Sequence, residues 1–383
     1  MGEIGWMGSV AAAFAGLTIA AHVVSTLLAL RRCRAATTPS VHADSLPPVS
    51  IIRPAHGVDP FDEVTLRSTF RLDHPRFEVL FCVQRADDPA VPLIRRLIGE
   101  HPDVPARLLV GDDRSTANPK LNNVIKGWQA ARHDWIAIAD SNVLMPGDYL
   151  ARLLGAWRSD TGLVCSPPAG SHASGFWAEL ECAFLNTYQA RWQYAADSSG
   201  LGFAQGKSML WRRELLDRAG GIRALAREIA EDAAATKIVR DRGLRVRLVD
   251  GPFAQPIGRR RARQVWDRQL RWARLRRATF PLYFAPELMT GAVPSLLAVG
   301  VVADAAGLDP VAAVSTIAIA WYGLEAWLAR SAGWQLTPLS PVAWLVRDAS
   351  LPLLWLQAWL GNEFVWRGNV MSVALPDEPE RVH

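Results

Sequence analysis

The sequence predicts an α/β domain with a mostly parallel sheet, flanked by membrane-spanning helices at its N-terminal and C-terminal ends. Three observations support this class. Short β-rich runs alternate with helical stretches between residues 49 and 166, an apolar run lies near the N-terminus, and further apolar runs fill the last quarter of the chain. With 383 residues, half of them apolar, the chain has room for one soluble domain and several membrane segments.

The first apolar run is predicted to be a membrane anchor. Trp6 to Leu30 contains a single ionisable residue, His22, and is long enough to cross a bilayer. Three arginines follow it directly: Arg31, Arg32 and Arg34. A cleaved signal peptide carries its positive charge before the apolar run, whereas only Glu3 precedes this one. Because positively charged flanks stay in the cytoplasm, the domain after the anchor is expected to be cytoplasmic.

We therefore divide the chain into four parts. Residues 1–34 form the anchor, and residues 35–48 form a polar linker with three prolines. Residues 49–282 form the α/β domain, and residues 283–383 form a C-terminal membrane region and tail.

The α/β domain is predicted from alternating strands and helices. The predicted strands are Val49–Arg53, Phe77–Val83, Arg107–Val110, Trp135–Ala139 and Leu163–Ser166. Helical periodicity appears between them, as in Val64–Leu72 and Pro92–Glu100. Strands that alternate with helices favour a mostly parallel sheet covered on both faces.

The stretch Trp135–Pro146 (WIAIADSNVLMP) is the central candidate for a ligand site. Its apolar strand ends in three polar residues: Asp140, Ser141 and Asn142. Open α/β sheets bind ligands at this end of their strands. A carboxylate there can hold Mg²⁺ or Mn²⁺, which take oxygen ligands and bridge to nucleotide phosphates. Taken alone, the tripeptide is more typical of a strand that ends in a turn.

Two candidates precede this stretch. Asp88 follows the second strand, where it can accept hydrogen bonds from a base or ribose. Lys120, in the run ANPKLNN, opens a helix whose N-terminal amides can face a phosphate. A solvated turn and an ordinary capped helix start are the respective alternatives.

Further candidates follow it. Asp232 lies in the first turn of a predicted helix, where the helix dipole stabilises its ionised form, although it also suits a cap. Arg268 and Arg271, three residues apart on one helix face and next to Trp272, can grip a diphosphate, although a solvated basic helix explains them equally well when they are taken alone. The surrounding stretch Gly258–Arg277 holds nine arginines. Because it leads into apolar segments, we predict that it faces anionic lipid or a diphosphate, not nucleic acid.

Other motifs exclude several classes of site. Gly206-Lys207-Ser208 resembles the end of a P-loop, but the required preceding glycine is replaced by Leu201. The four cysteines have no C-x-x-C spacing, so neither a zinc site nor a disulfide framework is indicated. The aromatic stretch Ser171–Tyr194 suits either a core or an apolar groove for a lipid substrate.

In sequence order, these candidates resemble the D, D, D, (Q/R)-x-x-R-W series of lipid-acting inverting glycosyltransferases. More narrowly, the chain resembles a bacterial member of the ceramide glucosyltransferase family. The matching stretches are FEVLFCVQRADDPA, ANPKLNN, ADSNVLMPGDYL, AEDAAATKIVRDRG and RQLRWARLRR. They cover residues 48–282, and the apolar termini fit as well.

The resemblance implies a GT-A type nucleotide-sugar-binding domain with assigned roles. Asp88 would contact the uridine of a UDP-sugar, and Asp140 with Asn142 would hold Mg²⁺ or Mn²⁺ on its diphosphate. Asp232 would be the catalytic base. The residues that would close over the leaving UDP are Arg268, Arg271 and Trp272. Two departures stand out: D-S-N lacks a second acid, and TYQARW at 187–192 lacks a histidine that the animal enzymes carry.

The implied reaction moves glucose from UDP-glucose to the primary hydroxyl of ceramide with inversion, giving β-glucosylceramide at a bacterial inner membrane. UDP-galactose, UDP-GlcNAc or UDP-glucuronate as donor, or a hopanoid as acceptor, would keep the same motifs. A non-enzymatic nucleotide-binding or scaffold protein of the membrane is the alternative of another class. The three aspartates together with R-x-x-R-W argue against it. The oligomeric state is left open.

The C-terminal region contains three apolar segments. They are Leu288–Ala303, Val311–Ala329 and Pro341–Leu360. Glu325 lies in the second segment, and Arg347 and Asp348 lie in the third. Charges inside a span are costly unless they face protein or water, so one segment is expected to lie in the membrane interface instead of crossing.

Overall fold

The computed structural model describes residues 5–35, 46–366 and 369–373, so most of the predicted linker lies outside the described ranges. The strands are β1 Val49–Pro54, β2 Phe77–Val83, β3 Ala106–Val110, β4 Trp135–Ala139, β5 Thr161–Cys165, β6 Pro168–Ser174, β7 Ser208–Arg212, β8 Arg245–Leu248, β9 Phe253–Arg259, β10 Glu363–Trp366 and β11 Asn369–Ser372. The helices are α1 Trp6–Arg34, α2 Asp62–Ser68, α3 Ala90–Glu100, α4 Pro119–Ala130, α5 Tyr149–Gly155, α6 Phe176–Ala183, α7 Arg191–Ser198, α8 Arg213–Asp217, α9 Glu231–Arg240, α10 Ala262–Thr279, α11 Pro281–Phe284, α12 Ala292–Ala305, α13 Pro310–Ser331 and α14 Ser340–Trp359.

A seven-stranded sheet in the order β3-β2-β1-β4-β7-β5-β8 forms the centre of the protein. All neighbouring strands pair in parallel except β7, which runs antiparallel to β4 and to β5. Every residue of β1 is buried, as expected for a central strand with both faces covered. The predicted α/β class and the mostly parallel sheet are therefore confirmed.

Alternate residues of the strands pack into two separate cores. Ile52 and Ile138 face a core that includes α4 and α9, whereas Ile51 and Ala137 face a second core that includes α5. This division follows from the two-residue period of a strand, which sends successive side chains to opposite faces.

Four strands of the domain were not predicted from the sequence. They are β6, β7, β8 and β9, of which β6 and β9 form a separate two-stranded parallel sheet. The sequences of β6 and β9, PAGSHAS and FAQPIGR, contain Pro, Gly and polar residues and lack a clear apolar alternation, and β8 has only four residues. These strands form because they pair with strands that are distant in the sequence.

A single helical stretch, Phe176–Ser198, connects the sheet to the membrane helices. It comprises α6, a π-helical segment at Phe184–Ala190, and α7. Widened π turns inside α-helices frequently occur at functional sites. The stretch contains most of the aromatic segment that was noted in the sequence.

Two helices in the described part of the chain are long and apolar enough to cross a membrane: α1 and α13. A third candidate is a pair, Pro281–Met289 and Ala292–Ala305, which meets at a bend of 48°. The third predicted C-terminal segment forms α14, which packs against α6 and α10. It is not among the helices that are both long and apolar enough to cross a membrane.

The charges noted in the C-terminal segments face one another inside the protein. Arg347 on α14 donates to both carboxylate oxygens of Glu325 on α13, at 2.9 and 2.8 Å, and to Asp348 at 2.9 Å. It also donates to Thr187 of the π-helical segment at 2.8 Å. The four residues are buried, so the network satisfies the condition under which such charges are tolerated in a membrane region.

Candidate active site

A cavity of about 880 Å³ opens at the carboxyl edge of the sheet and extends to α10 and α11. Its wall at the sheet contains His56, Gln84 and Asp140, which follow β1, β2 and β4. Parallel strands present their carboxyl ends at the same edge, so polar residues that are distant in sequence meet there. Apolar and aromatic side chains from the end of α10 onward also line the cavity: Leu275, Phe280, Tyr283, Phe284, Phe364 and Met371. The arginines of α10 that line it are Arg268, Arg271 and Arg276.

Asp140 is the centre of a charged cluster in this cavity. One carboxylate oxygen lies 2.7 Å from Lys120 Nζ and the other lies 2.7 Å from Lys207 Nζ. Burial alone would raise the pKa of Asp140, but the two ammonium groups hold it well below the ordinary value. Asp140 is therefore ionised at neutral pH, as a cation-binding carboxylate must be.

Lys120 joins Asp140 to the start of α9. Its ammonium group lies 2.6 Å from Glu231 and donates to the carbonyl oxygen of Gly206 at 2.7 Å. Although burial alone would lower the pKa of Lys120, Asp140 and Glu231 raise it above the ordinary value. A Cβ at position 206 would lie 2.9 Å from Glu231 Oε1, so glycine allows this close approach.

Asn118 explains why α4 begins beside α9. Its side-chain oxygen accepts from the backbone N–H of Leu121, so Asn118 is the N-cap of α4. Its amide nitrogen donates to Glu231 at 3.0 Å. One asparagine thus caps a helix and orients the carboxylate of Glu231 toward Lys120.

Asp232 occupies a different environment from its neighbour Glu231. It lies in the first turn of α9, lines the cavity, and accepts from the backbone N–H of Gly206 at 3.2 Å. Burial, and then the charge of Glu231, raise the pKa of Asp232 to about 6. A carboxylate with this pKa is a better proton acceptor near neutral pH than an ordinary one.

A buried arginine that the sequence analysis did not single out supports the loop after β4. Arg53, at the end of β1, is fully buried and donates to the backbone oxygens of Ser141 and Val143 at 2.9 and 3.2 Å. Burial lowers the pKa of Arg53 to about 10, so it stays charged at neutral pH. The sequence feature that could have identified Arg53 is a charged residue inside the apolar run VSIIRP.

Asp88 lies just behind the cavity wall. Its carboxylate accepts from the backbone N–H groups of Gly57 and Ala90 at 2.9 and 2.8 Å, and it lies 3.1 Å from His56 Nδ1. In the described part of the chain, His56 and Gln84 line the cavity next to Asp88. Asp88 thus holds the loop after β1, and its contact with a uridine stays a prediction.

The three residues of the R-x-x-R-W motif all line the cavity. Arg268 contacts the buried carboxylate of Glu181, and its guanidinium lies over the ring of Trp272 at 4.7 Å. Arg260 contacts the same carboxylate at 3.2 Å. Glu181 therefore orients Arg268 at the wall, and the sequence analysis did not identify it.

The predicted metal ligands, Asp140 and Asn142, both have side-chain oxygen atoms. Lys207 Nζ lies 2.7 Å from Asp140 Oδ2 and 3.4 Å from Asn142 Oδ1, so both oxygens converge on one cationic group. These are hard oxygen donors of the kind that Mg²⁺ and Mn²⁺ take. The described residues contain no cluster of three or more His, Cys, Asp or Glu side chains suited to a metal ion. A divalent ion on Asp140 and Asn142 would complete its coordination with ligand and water oxygens.

The aromatic stretch contributes to both core and cavity. Phe184 and Tyr194 are buried, whereas Tyr188 and Trp192 line the cavity. Tyr188 forms a hydrogen bond of 2.6 Å with Thr290, next to the bent membrane pair. The stretch therefore contributes to the core and to the cavity wall, and a lipid substrate bound against it stays a prediction.

Comparisons with known proteins show which proteins this chain is similar to. The model of glycosyl transferase family 21 matches residues 15–377. Ceramide glucosyltransferase 3 of Caenorhabditis elegans is 28% identical over 337 residues, covering 86% of this chain and 73% of the relative. Ceramide glucosyltransferase 1 of the same organism is 27% identical over 373 residues, covering 94% and 78%. Among solved structures, the mannosyltransferase PcManGT from Pyrobaculum calidifontis in complex with GDP-Man and Mn²⁺ has 20% identity and a TM-score of 0.48, covering 88% of this chain and 98% of that one.

The family match extends from the N-terminal anchor to the C-terminal strands and includes every candidate site residue. The protein is a membrane-associated glycosyltransferase, and the chain belongs to glycosyltransferase family 21.

Proposed function

We propose that this enzyme transfers glucose from UDP-glucose to the primary hydroxyl of ceramide, with inversion at the anomeric carbon. One observation carries the proposal: one cavity brings charged groups of the sheet edge and of α10 together with apolar side chains of α11 and the C-terminal strands. A nucleotide-sugar fits the charged part of the cavity, and a lipid alcohol fits the apolar part. Two relatives that bear the name ceramide glucosyltransferase support this choice of substrates.

In the proposed reaction Asp232 removes the proton from the acceptor hydroxyl as the new bond forms. Arg268, Arg271 and Trp272 contact the departing UDP, and the arginines stabilise its growing negative charge. Asp140 and Asn142 hold a divalent cation, which when bound neutralises charge on the diphosphate. Glu231, paired with Lys120 and Asn118, orients these groups instead of accepting a proton.

Lipid analysis tests the substrate assignment directly. We expect a host that contains ceramide and expresses this chain to accumulate β-glucosylceramide, and a host that expresses the Asp232→Asn variant to lack it. Mass spectrometry with sugar analysis distinguishes glucose from galactose, GlcNAc and glucuronate. Glycosylation of a hopanoid in place of ceramide would overturn the acceptor, and a different hexose would overturn the donor.

We also propose that the domain at residues 49–282 faces the cytoplasm. The arginines after α1 support this orientation, because positive residues flank the cytoplasmic ends of spans. Cytoplasmic exposure also gives access to nucleotide-sugars, which are made inside the cell. A protease-cleavable tag inserted near position 60 should resist protease added to intact cells and be cleaved in lysed cells. Cleavage in intact cells would reverse the orientation.

A further inference from the structure

The two lysines that contact Asp140 make different sets of contacts. Lys120 Nζ has three oxygen acceptors, from Asp140, Glu231 and Gly206, at 2.6 to 2.7 Å. An ammonium group has three N–H donors, so these contacts use its full capacity. Lys120 is therefore a bridge between Asp140 and α9, and its predicted place at a nucleotide phosphate stays a prediction.

In the described part of the chain, the ammonium group of Lys207 has two oxygen partners, Asp140 and Asn142, which are also the proposed metal donors. Its ammonium group lies 2.7 Å from Asp140 Oδ2 and 3.4 Å from Asn142 Oδ1, and its side chain lines the cavity. The backbone fixes its place, because the N–H of Asp140 donates to the carbonyl oxygen of Lys207 at 3.1 Å. Pairing of Ala139 with Ser208 continues this register along β4 and β7.

An ammonium group and a divalent cation cannot occupy the same point between two oxygens, because their like charges repel strongly at contact distance. A cation that binds Asp140 and Asn142 must therefore displace the Lys207 ammonium group. The flexible four-carbon side chain allows this group to move into the cavity while the backbone stays in the sheet. In the cavity, the wall formed by Arg268 and Arg271 is the proposed diphosphate site.

We propose that Lys207 is a tethered cation that occupies the Asp140–Asn142 position before a divalent ion binds and then contacts the diphosphate of the donor. The proposal rests on the proposed function, because it requires a divalent cation and a nucleoside diphosphate. Lys207 thereby couples the two binding events. It weakens binding of the metal alone and strengthens binding of the diphosphate once the metal is present.

Direct binding measurements on the full-length chain in detergent test this coupling with Mn²⁺ alone. Free Mn²⁺ can be followed by electron paramagnetic resonance, without nucleotide and without turnover. In Lys207→Met the competing charge is absent, so the Kd for Mn²⁺ should fall about tenfold, the size of one charge-assisted hydrogen bond. Lys126→Met is the matched control, because Lys126 pairs with Gly111 and Asn123 and makes no contact with Asp140. Its Kd should equal that of the wild type.

A second measurement uses UDP at saturating Mn²⁺. Lys207→Met should bind UDP about tenfold more weakly than the wild type, because a charge-assisted contact to a phosphate oxygen is lost. Opposite changes in the two affinities are the signature of a tethered cation, since a structural role would weaken both. If Mn²⁺ binding is unchanged or weaker in Lys207→Met, or if UDP binding is unchanged, the proposal is wrong. Failure of the proposed UDP-sugar donor would give a different result from failure of the role proposed for Lys207, because in the first case the wild type itself would not bind UDP.

Discussion

Asp232→Asn should lower turnover by about 10²- to 10⁴-fold, the loss expected when a general base is removed. Asparagine keeps the shape of aspartate but cannot accept the proton of the acceptor hydroxyl. The structure places this carboxylate in the cavity wall, with a backbone N–H of Gly206 as its neighbour. Binding of the UDP-sugar, measured by calorimetry, should stay close to that of the wild type because the proposed partner of Asp232 is the acceptor hydroxyl and not the diphosphate.

The matched control is Glu231→Gln, which changes the adjacent carboxylate. Glu231 is held by Lys120 and Asn118, so its loss should reduce turnover less than the loss of Asp232. Normal turnover of Asp232→Asn, or a larger defect in Glu231→Gln, would require the mechanism to be redrawn around Glu231.

The pH dependence of kcat/KM provides an independent measure of the same base. The pKa of Asp232 is raised to about 6 by burial and by Glu231, so its proton-accepting form predominates above that pH. Activity should therefore decline as the pH falls through about 6. In Glu231→Gln the neighbouring negative charge is absent, so the decline should move to lower pH.

Asp140→Ala should abolish transfer, and excess chelator should do the same to the wild type. A divalent ion supplies several kcal/mol of transition-state stabilisation in such reactions, which corresponds to about 10³-fold or more in rate. Asp140 is the only acid in its tripeptide, and Asn142 supplies a single neutral oxygen. Activity is measured with and without EDTA, and Mn²⁺ is added back to the chelated enzyme to test recovery.

The control for Asp140→Ala is Asp134→Ala. Asp134 is exposed and precedes β4 at the opposite end of the same strand. Removal of Asp140 also leaves Lys120 and Lys207 without a shared counter-ion, so circular dichroism should confirm that the variant is folded. Asp140→Asn keeps the side-chain volume and should be inactive as well. Full activity of the wild type in excess chelator would contradict a role for a metal ion.

The sequence determined the α/β class, the anchor α1 and the strand β4 that carries Asp140. These features depend on local patterns: alternation of strands with helices, a long apolar run, and an apolar strand with a polar end. A capped helix start, the alternative given for the run ANPKLNN, is also a local feature, because a cap depends on residues within one turn. Family resemblance added the order of Asp88, Asp140, Asp232 and the R-x-x-R-W motif.

The tertiary structure alone decided which charges meet. β7 lies between β4 and β5 and runs antiparallel to both, and this placement brings Lys207 beside Asp140. In the sequence, Lys207 drew attention only through the resemblance of Gly206-Lys207-Ser208 to the end of a P-loop, and this chain lacks the first glycine of that motif. Lys120 joins Asp140 to Glu231 although the three residues lie on separate elements. Periodicity reports the face of one element, whereas an ion pair between elements depends on strand order and helix placement, which the packing of the whole domain determines.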